Sequence, residues 1–202
     1  MDIFLAYTGL LLFAPLMGAI AIAIRFTSPG PVIYRQKRVG YNGKLFELYK
    51  FRSMYYNSDE NVHRRHITEV MRNFNSICAE EAPAIKIIKD VRVTPLGRFL
   101  RNTCLDELPQ LINVLKGDMS MVGPRPHPEY EVINYDRWYR RRLSVKPGLT
   151  GLWQIQGRKH MFYPDAIRLD LSYIDRWSLG LDFKILFYTL PTALAGLAIH
   201  KK

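Results

Sequence analysis

From Ile3 to Ile24 the chain is almost wholly apolar, interrupted only by Tyr7, Thr8, Gly9, Pro15 and Gly18. Roughly 20 residues of this kind can cross the hydrocarbon layer of a bilayer as a helix. A cleaved secretory leader would carry a basic start, a shorter apolar run and a small-residue cleavage site. Met1 and Asp2 precede this run, with no basic residue, so the expectation is a retained membrane element. Pro15 falls near its middle, where the proline ring collides with the carbonyl of Leu11 and offers no N–H in exchange. A kinked spanning helix and a helix-break-helix that returns to its own side both satisfy that constraint. Arg25, Arg35, Lys37, Arg38 and Lys44 follow closely. By the positive-inside bias they place the bulk of the chain in the cytoplasm.

The charge of that bulk points to a polyanionic partner. Lys and Arg number 29 against 18 acidic residues, a net charge of +11. An excess of this size suits nucleic acid, an anionic membrane surface or a phosphorylated substrate. Cys78 and Cys104 stand apart, without a CxxC or a Cys/His cluster, and a cytosolic domain needs no disulfide from them. No Walker loop, G-x-G-x-x-G or G-x-S-x-G is present, which removes the common nucleotide and hydrolase signatures.

Local patterning predicts two short strands, Val32 to Tyr34 and Leu45 to Tyr49, about a Gly40-Tyr41-Asn42-Gly43 turn. A polar, exposed helix is predicted from Tyr55 to about Asn75. Leu105, Leu108, Leu111, Ile112 and Leu115 recur at helical spacing before Lys116-Gly117. A start at Leu105 or Asp106 would put Pro109 in the first turn, where a missing N–H costs nothing. Asp106 and Glu107 would then lie at the positive end of the helix, which favours ionised carboxylates. An ionised aspartate can act as a nucleophile or bind a divalent cation. Acidic residues at helix starts usually only cap, so this pair by itself says little.

Arg125, set between Pro124 and Pro126, is the second pointer. Two prolines stiffen the backbone beneath a guanidinium suited to bidentate phosphate capture, although a surface arginine in a turn would look the same. Lys146-Pro147-Gly148-Leu149-Thr150-Gly151 is rich in turn glycines, which allow close approach either to a ligand or to other backbone. The basic-aromatic cluster Arg137 to Arg142 suits a membrane interface or nucleic acid. Beside an apolar anchor the membrane is the better fit. The apolar stretch Ile185 to Ile199, before His200-Lys201-Lys202, is short for a span and suits an interfacial helix.

In order along the chain these motifs resemble the bacterial sugar transferases of the small, monotopic polyprenyl-phosphate phosphoglycosyl transferase class. The resemblance is carried by Arg38-Val39-Gly40, Lys50-Phe51-Arg52-Ser53-Met54, and Arg101 ahead of Leu105-Asp106-Glu107-Leu108-Pro109-Gln110. It continues through Asn113 to Ser120, Gly123-Pro124-Arg125-Pro126, and Pro147 through Arg158. It implies a mixed α/β, helix-rich fold. A re-entrant membrane helix would occupy residues 1–27, and a compact cytosolic catalytic domain with interfacial amphipathic helices residues 28–202. It implies transfer of a sugar-1-phosphate from a UDP-sugar to polyprenyl (undecaprenyl) phosphate at the cytoplasmic face of the bacterial inner membrane, with no nucleic acid involved.

The same resemblance assigns roles. Asp106 is the implied nucleophile and metal ligand, Glu107 its partner, and Mg²⁺ the cofactor. Arg125 is the implied phosphate ligand, supported by Lys50, Arg101 and Arg158, while Asp170 and Asp182 match acidic positions of the class. The class breaks its membrane helix at Ser-Pro; here the pair is Ala14-Pro15. Larger relatives carry spanning helices ahead of this point, so the sequence fits either a short member or an excised catalytic domain. The competing reading is a non-enzymatic basic membrane module, whose polyanion binding would be indifferent to Asp106.

Overall fold

The computed structural model describes residues 1–59, 61–73, 90–156 and 163–198. The apolar run forms one helix, α1 (Asp2–Thr27), with Pro15 inside it. The interruption expected at Ala14-Pro15 is absent as a break in secondary structure. A proline removes one hydrogen bond and one volume of space, and a helix can absorb both by bending while its dihedrals stay helical. Ala14 and Pro15 both face outward.

The opposite side of α1 is seated on the rest of the protein. Ala6, Ile20 and Ile24 are buried and Leu10, Met17 and Ala21 are packed against the same clusters, a stripe at steps of three and four residues. Near its start, Ala6 and Leu10 meet Leu48, Leu111, Val114 and Met119. Near its end, Ile20 and Ile24 meet Phe51 and Leu100. Asp2 is tied in as well, its Oδ1 accepting the Met121 backbone N–H at 3.3 Å. Ile3, Phe4, Tyr7, Leu11, Leu12, Ile22 and Phe26 form the exposed apolar face.

The predicted hairpin is present and longer than the apolar runs suggested: β1 (Ile33–Val39) pairs antiparallel with β2 (Leu45–Phe51). Asn42 and Gly43 take positive φ in the connecting turn. The polar helix is α2 (Asn61–Asn73); it is not wholly exposed, since Ile67 is buried. The Pro95 stretch forms a helix that periodicity had not marked, α3 (Pro95–Thr103), with Pro95 in its first turn and the Thr94 hydroxyl accepting the Gly97 N–H at 2.9 Å. Gly97 is irreplaceable for steric reasons: a Cβ there would lie 1.9 Å from the Ser53 carbonyl oxygen.

The helix expected from Leu105 or Asp106 begins later. Cys104 turns left-handed (φ 59°), Leu105–Glu107 make a single 3₁₀ turn, and α4 (Gln110–Leu115) follows with Pro109 as its N-cap. Pro109 has no N–H to give, so the helical hydrogen-bond ladder starts only after it. Beyond α4 come β3 (Ser120–Val122), α5 (Glu129–Val132), β4 (Gly148–Thr150), α6 (Leu152–Gln156), α7 (Tyr163–Asp175) and α8 (Leu179–Ala198). β3 and β4 pair in parallel. The glycines there serve backbone against backbone. A Cβ on Gly148 would sit 2.1 Å from the Gly123 nitrogen, and one on Gly151 2.4 Å from the Gly123 oxygen.

Two surface segments divide between exposed and buried positions. The Arg137 to Arg142 cluster does not present one face: Trp138 and Arg140 are exposed, whereas Tyr139 and Arg142 are buried. The C-terminal helix starts six residues earlier than its apolar core and is divided between roles. Asp182 and Ile185 are buried, and Phe183, Phe187 and Tyr188 are exposed. Cys78, Arg158 and the terminal Ile199-His200-Lys201-Lys202 lie outside the described residues.

Candidate active site

β2, the end of α3 and the 3₁₀ turn converge on one point. The αL residue Cys104 reverses the chain after α3, so Asp106 and Glu107 face back toward β2. Asp106 is only 7% exposed. Glu107 Oε1 accepts both Lys50 Nζ at 2.8 Å and Arg125 Nη2 at 2.9 Å. Arg101, on the last turn of α3, adds a third cation, with its Nε fixed on Ser53 Oγ at 2.8 Å.

The two carboxylates differ in state. Burial alone would raise Glu107, but Arg125 and Lys50 together hold it well below the ordinary carboxylate range. Asp106 is raised to about 6, first by burial and then by the neighbouring Glu107, against the pull of Lys50. The expected helix-start dipole does not dominate: burial moves this carboxyl up rather than down, though still below neutral pH. The turn is one 3₁₀ loop, and the low dielectric outweighs any local dipole. Among the described residues no side chain hydrogen-bonds or ion-pairs with the Asp106 carboxylate. Burial also depresses Lys50, and Glu107 raises Arg125.

Arg125 is held from behind. Successive carbonyls of Pro124, Arg125 and Pro126 accept from the Gly148 N–H at 2.9 Å, from Arg142 Nη2 at 3.0 Å and from Arg38 Nη1 at 3.1 Å. Asp170, 1% exposed, pairs with Arg142 through Nη2 at 2.6 Å and is raised to about 6 by burial. It therefore stands behind the basin rather than in it. Asp182 is further removed: it accepts from the Tyr173 hydroxyl at 2.8 Å and Trp177 Nε1 at 3.2 Å, joining α7 to α8. Arg38 and Arg142 were not singled out as site residues from sequence. Arg142 was concealed by the exposed basic residues around it. Gln110, 2% exposed with no partner for Nε2 among the described residues, carried no signal beyond its motif.

A buried carboxylate without a bonded counter-ion among the described residues, ringed by Lys50, Arg101 and Arg125, suits a transferase of anionic groups. Comparison with known proteins gives the same class. The bacterial sugar transferase family matches residues 1–196. The exopolysaccharide production protein ExoY of Rhizobium meliloti is 42% identical over 191 residues, covering 94% of this chain and 82% of its own. The undecaprenyl-phosphate galactose phosphotransferase of Salmonella typhimurium is 44% identical over 194 residues, 96% of this chain and 39% of its own. The UDP-glucose:undecaprenyl-phosphate glucose-1-phosphate transferase of Escherichia coli is 42% identical over 197 residues, 94% and 38% respectively. The chain thus spans most of ExoY and about two fifths of the other two. It belongs to the bacterial sugar transferase family, and as an enzyme it is of the phosphoglycosyl transferase type.

Proposed function

We propose that this protein transfers a sugar-1-phosphate from a UDP-sugar to polyprenyl (undecaprenyl) phosphate through a covalent intermediate on Asp106. The observation that carries the reading is the division of labour in the dyad. Glu107 absorbs Lys50 and Arg125, which leaves Asp106 buried, without a hydrogen-bonded side-chain partner among the described residues, and able to bond to phosphorus once deprotonated.

In the first step an Asp106 carboxylate oxygen attacks the sugar-bearing β-phosphorus of the UDP-sugar. The bond from that phosphorus to the bridging oxygen breaks, and UMP leaves with the electron pair. In the second step a phosphate oxygen of the polyprenyl phosphate attacks the same phosphorus and displaces the aspartate. The product is a polyprenyl diphosphate sugar, and Asp106 is regenerated. Splitting the displacement avoids bringing two phosphate anions together in one step. Arg125, Lys50 and Arg101 shield the charge that accumulates on the diphosphate.

Mg²⁺ is part of this proposal. The described residues contain no cluster of three metal-ligating side chains. That suits an ion normally bound by one or two carboxylates with substrate phosphates and water completing its shell. Asp106 would hold it against the diphosphate oxygens, and its chemistry would be charge neutralisation on the leaving group.

We further propose that α1 is a re-entrant membrane element, bent at Pro15 so that both of its ends lie at the cytoplasmic face of the bacterial inner membrane, with residues 28–202 as the catalytic domain. Support comes from the contacts at both its ends. A 26-residue helix is about 39 Å long, so in a spanning arrangement Asp2 could not share a body with Ser28. Yet Asp2 bonds Met121 and Ile24 packs on Phe51 and Leu100. α1 is long and apolar enough to cross a membrane by length and composition, and its outward face supplies the lipid contact.

A panel of UDP-sugars incubated with Mg²⁺ and undecaprenyl phosphate, read by UMP release, tests the reaction. One sugar giving UMP in the wild type and none in Asp106→Asn is the expected result. A panel silent for every sugar would sink it.

A further inference from the structure

Arg142 is 4% exposed, and its ion pair with Asp170 is among the most deeply buried in the described residues, with side chains 3% and 1% exposed. Burying two charges at such depth is expensive unless the geometry does something a hydrophobic pair would not. The guanidinium works in two directions. On one side Nε, at 2.9 Å, and Nη2, at 2.6 Å, share Asp170 Oδ2. On the other, Nη2 donates to the Arg125 main-chain carbonyl at 3.0 Å, while Nη1 faces the Tyr135 hydroxyl and His127 Nδ1.

The Pro124-Arg125-Pro126 tripeptide makes this contact unusual. Two of its three residues lack an N–H, so its backbone can be gripped almost solely through carbonyls. Each of the three has a different holder: the Gly148 N–H, Arg142 and Arg38. The Arg125 carbonyl is the central one, directly beneath the side chain that reaches Glu107 at 2.9 Å. An unbroken line of contacts therefore runs from Asp170 through Arg142 and the Arg125 peptide to the dyad.

We infer that Arg142 is a positioning residue: held by Asp170, it fixes the Arg125 peptide and thereby where the Arg125 guanidinium meets Glu107 and the substrate diphosphate. This rests on the phosphosugar-transfer reading above. Arg142 touches no reacting atom. It acts through Arg125, and its effect should vanish when Arg125 can no longer do its work.

A double-mutant cycle on the full chain in membranes reads this out. Arg142→Lys keeps the charge and the pairing with Asp170, but a single ammonium cannot bridge Asp170 and the carbonyl as a planar fork does. It should lower kcat/KM for the UDP-sugar by roughly 10- to 100-fold, the scale of an ångström of misplacement. In an Arg125→Lys background the same change should cost less than about 3-fold, because residues acting as one unit are not additive. Asp170→Asn, which leaves Arg142 in place without its anchor, should repeat the pattern and serves if Arg142→Lys folds poorly. Equal losses in both backgrounds would mark a merely structural role and overturn the inference, as would full activity in Arg142→Lys. A wild type that releases no UMP would instead remove the underlying functional reading, and this inference with it.

Discussion

Asp106 and Glu107 are neighbours in one 3₁₀ turn and hold opposite electrostatic positions. Glu107 takes Lys50 at 2.8 Å and Arg125 at 2.9 Å on a single oxygen and is driven far down, while Asp106, without a bonded cation, is driven up to about 6. Burial in one low-dielectric basin penalises the charged form of both carboxylates, and the cations bonded to Glu107 offset that penalty more fully for Glu107 than for Asp106.

The raised Asp106 implies a cost of ionisation that the folded state bears. A carboxyl whose folded value lies above its unfolded one favours folding only while protonated. Its penalty is absent below about pH 4, grows as the pH rises, and is complete above about pH 6 to 7. Asp106→Asn should therefore stabilise the metal-free protein by roughly 1–3 kcal/mol at pH 8 and by nothing at pH 4. Thermal melts in EDTA at the two pH values measure it. A variant less stable than wild type at pH 8 would contradict the assignment.

Glu107 has the opposite sign. Its depressed value contributes stability that is present above the unfolded carboxylate range and is lost as pH falls through the folded one. Glu107→Gln should cost about 2 kcal/mol at pH 7, discounted for its partial exposure, because two cations lose their shared anion. The loss should shrink steadily as the pH is taken below the ordinary carboxylate range, and denaturant titrations at pH 7 and pH 3 will show whether it does.

Gly97→Ala should be among the most damaging single-methyl changes in the chain. The added carbon has backbone, not a movable side chain, 1.9 Å away at Ser53, so α3 must shift from β2 and carry Arg101 with it. A loss of more than about 3 kcal/mol is expected, visible as poor membrane-extract yield and a lowered melting midpoint. Wild-type stability would show that α3 does not pack as described.

Accessibility labelling tests the placement of α1. Asp2→Cys in a background lacking Cys78 and Cys104 should react with a membrane-impermeant maleimide only after the inner membrane is opened. Labelling of intact spheroplasts would mean that α1 spans.

Much of the site was legible from residue order. Asp106, Glu107, Lys50, Arg101 and Arg125 do meet, and the β1–β2 hairpin follows from apolar runs flanking a glycine turn. What was not legible depended on tertiary burial. The charge state of Asp106 is set by the protein that closes over it, and no local pattern reports that. Arg142 is one arginine among several in sequence, and only packing separates it from exposed Arg140 and Arg141. The glycines near Gly148 left two readings open, and their partner, Gly123, lies just past the neighbouring strand β3. α3 carried no apolar periodicity to mark it; Pro95 occupies the tolerated first turn and Gly97 the point of closest contact.

The seating of α1 from Ala6 to Ile24 has a mechanical consequence. A domain hung from the end of a lone helix can pivot like a float on a tether, sampling many heights above a surface. If α1 meets the lipid as proposed, a domain clamped along it cannot, and the altitude of Asp106 above the lipid would be set once, at folding. A lipid-borne acceptor would then arrive by two-dimensional diffusion at a fixed port, and turnover should track its mole fraction in the leaflet rather than its bulk concentration.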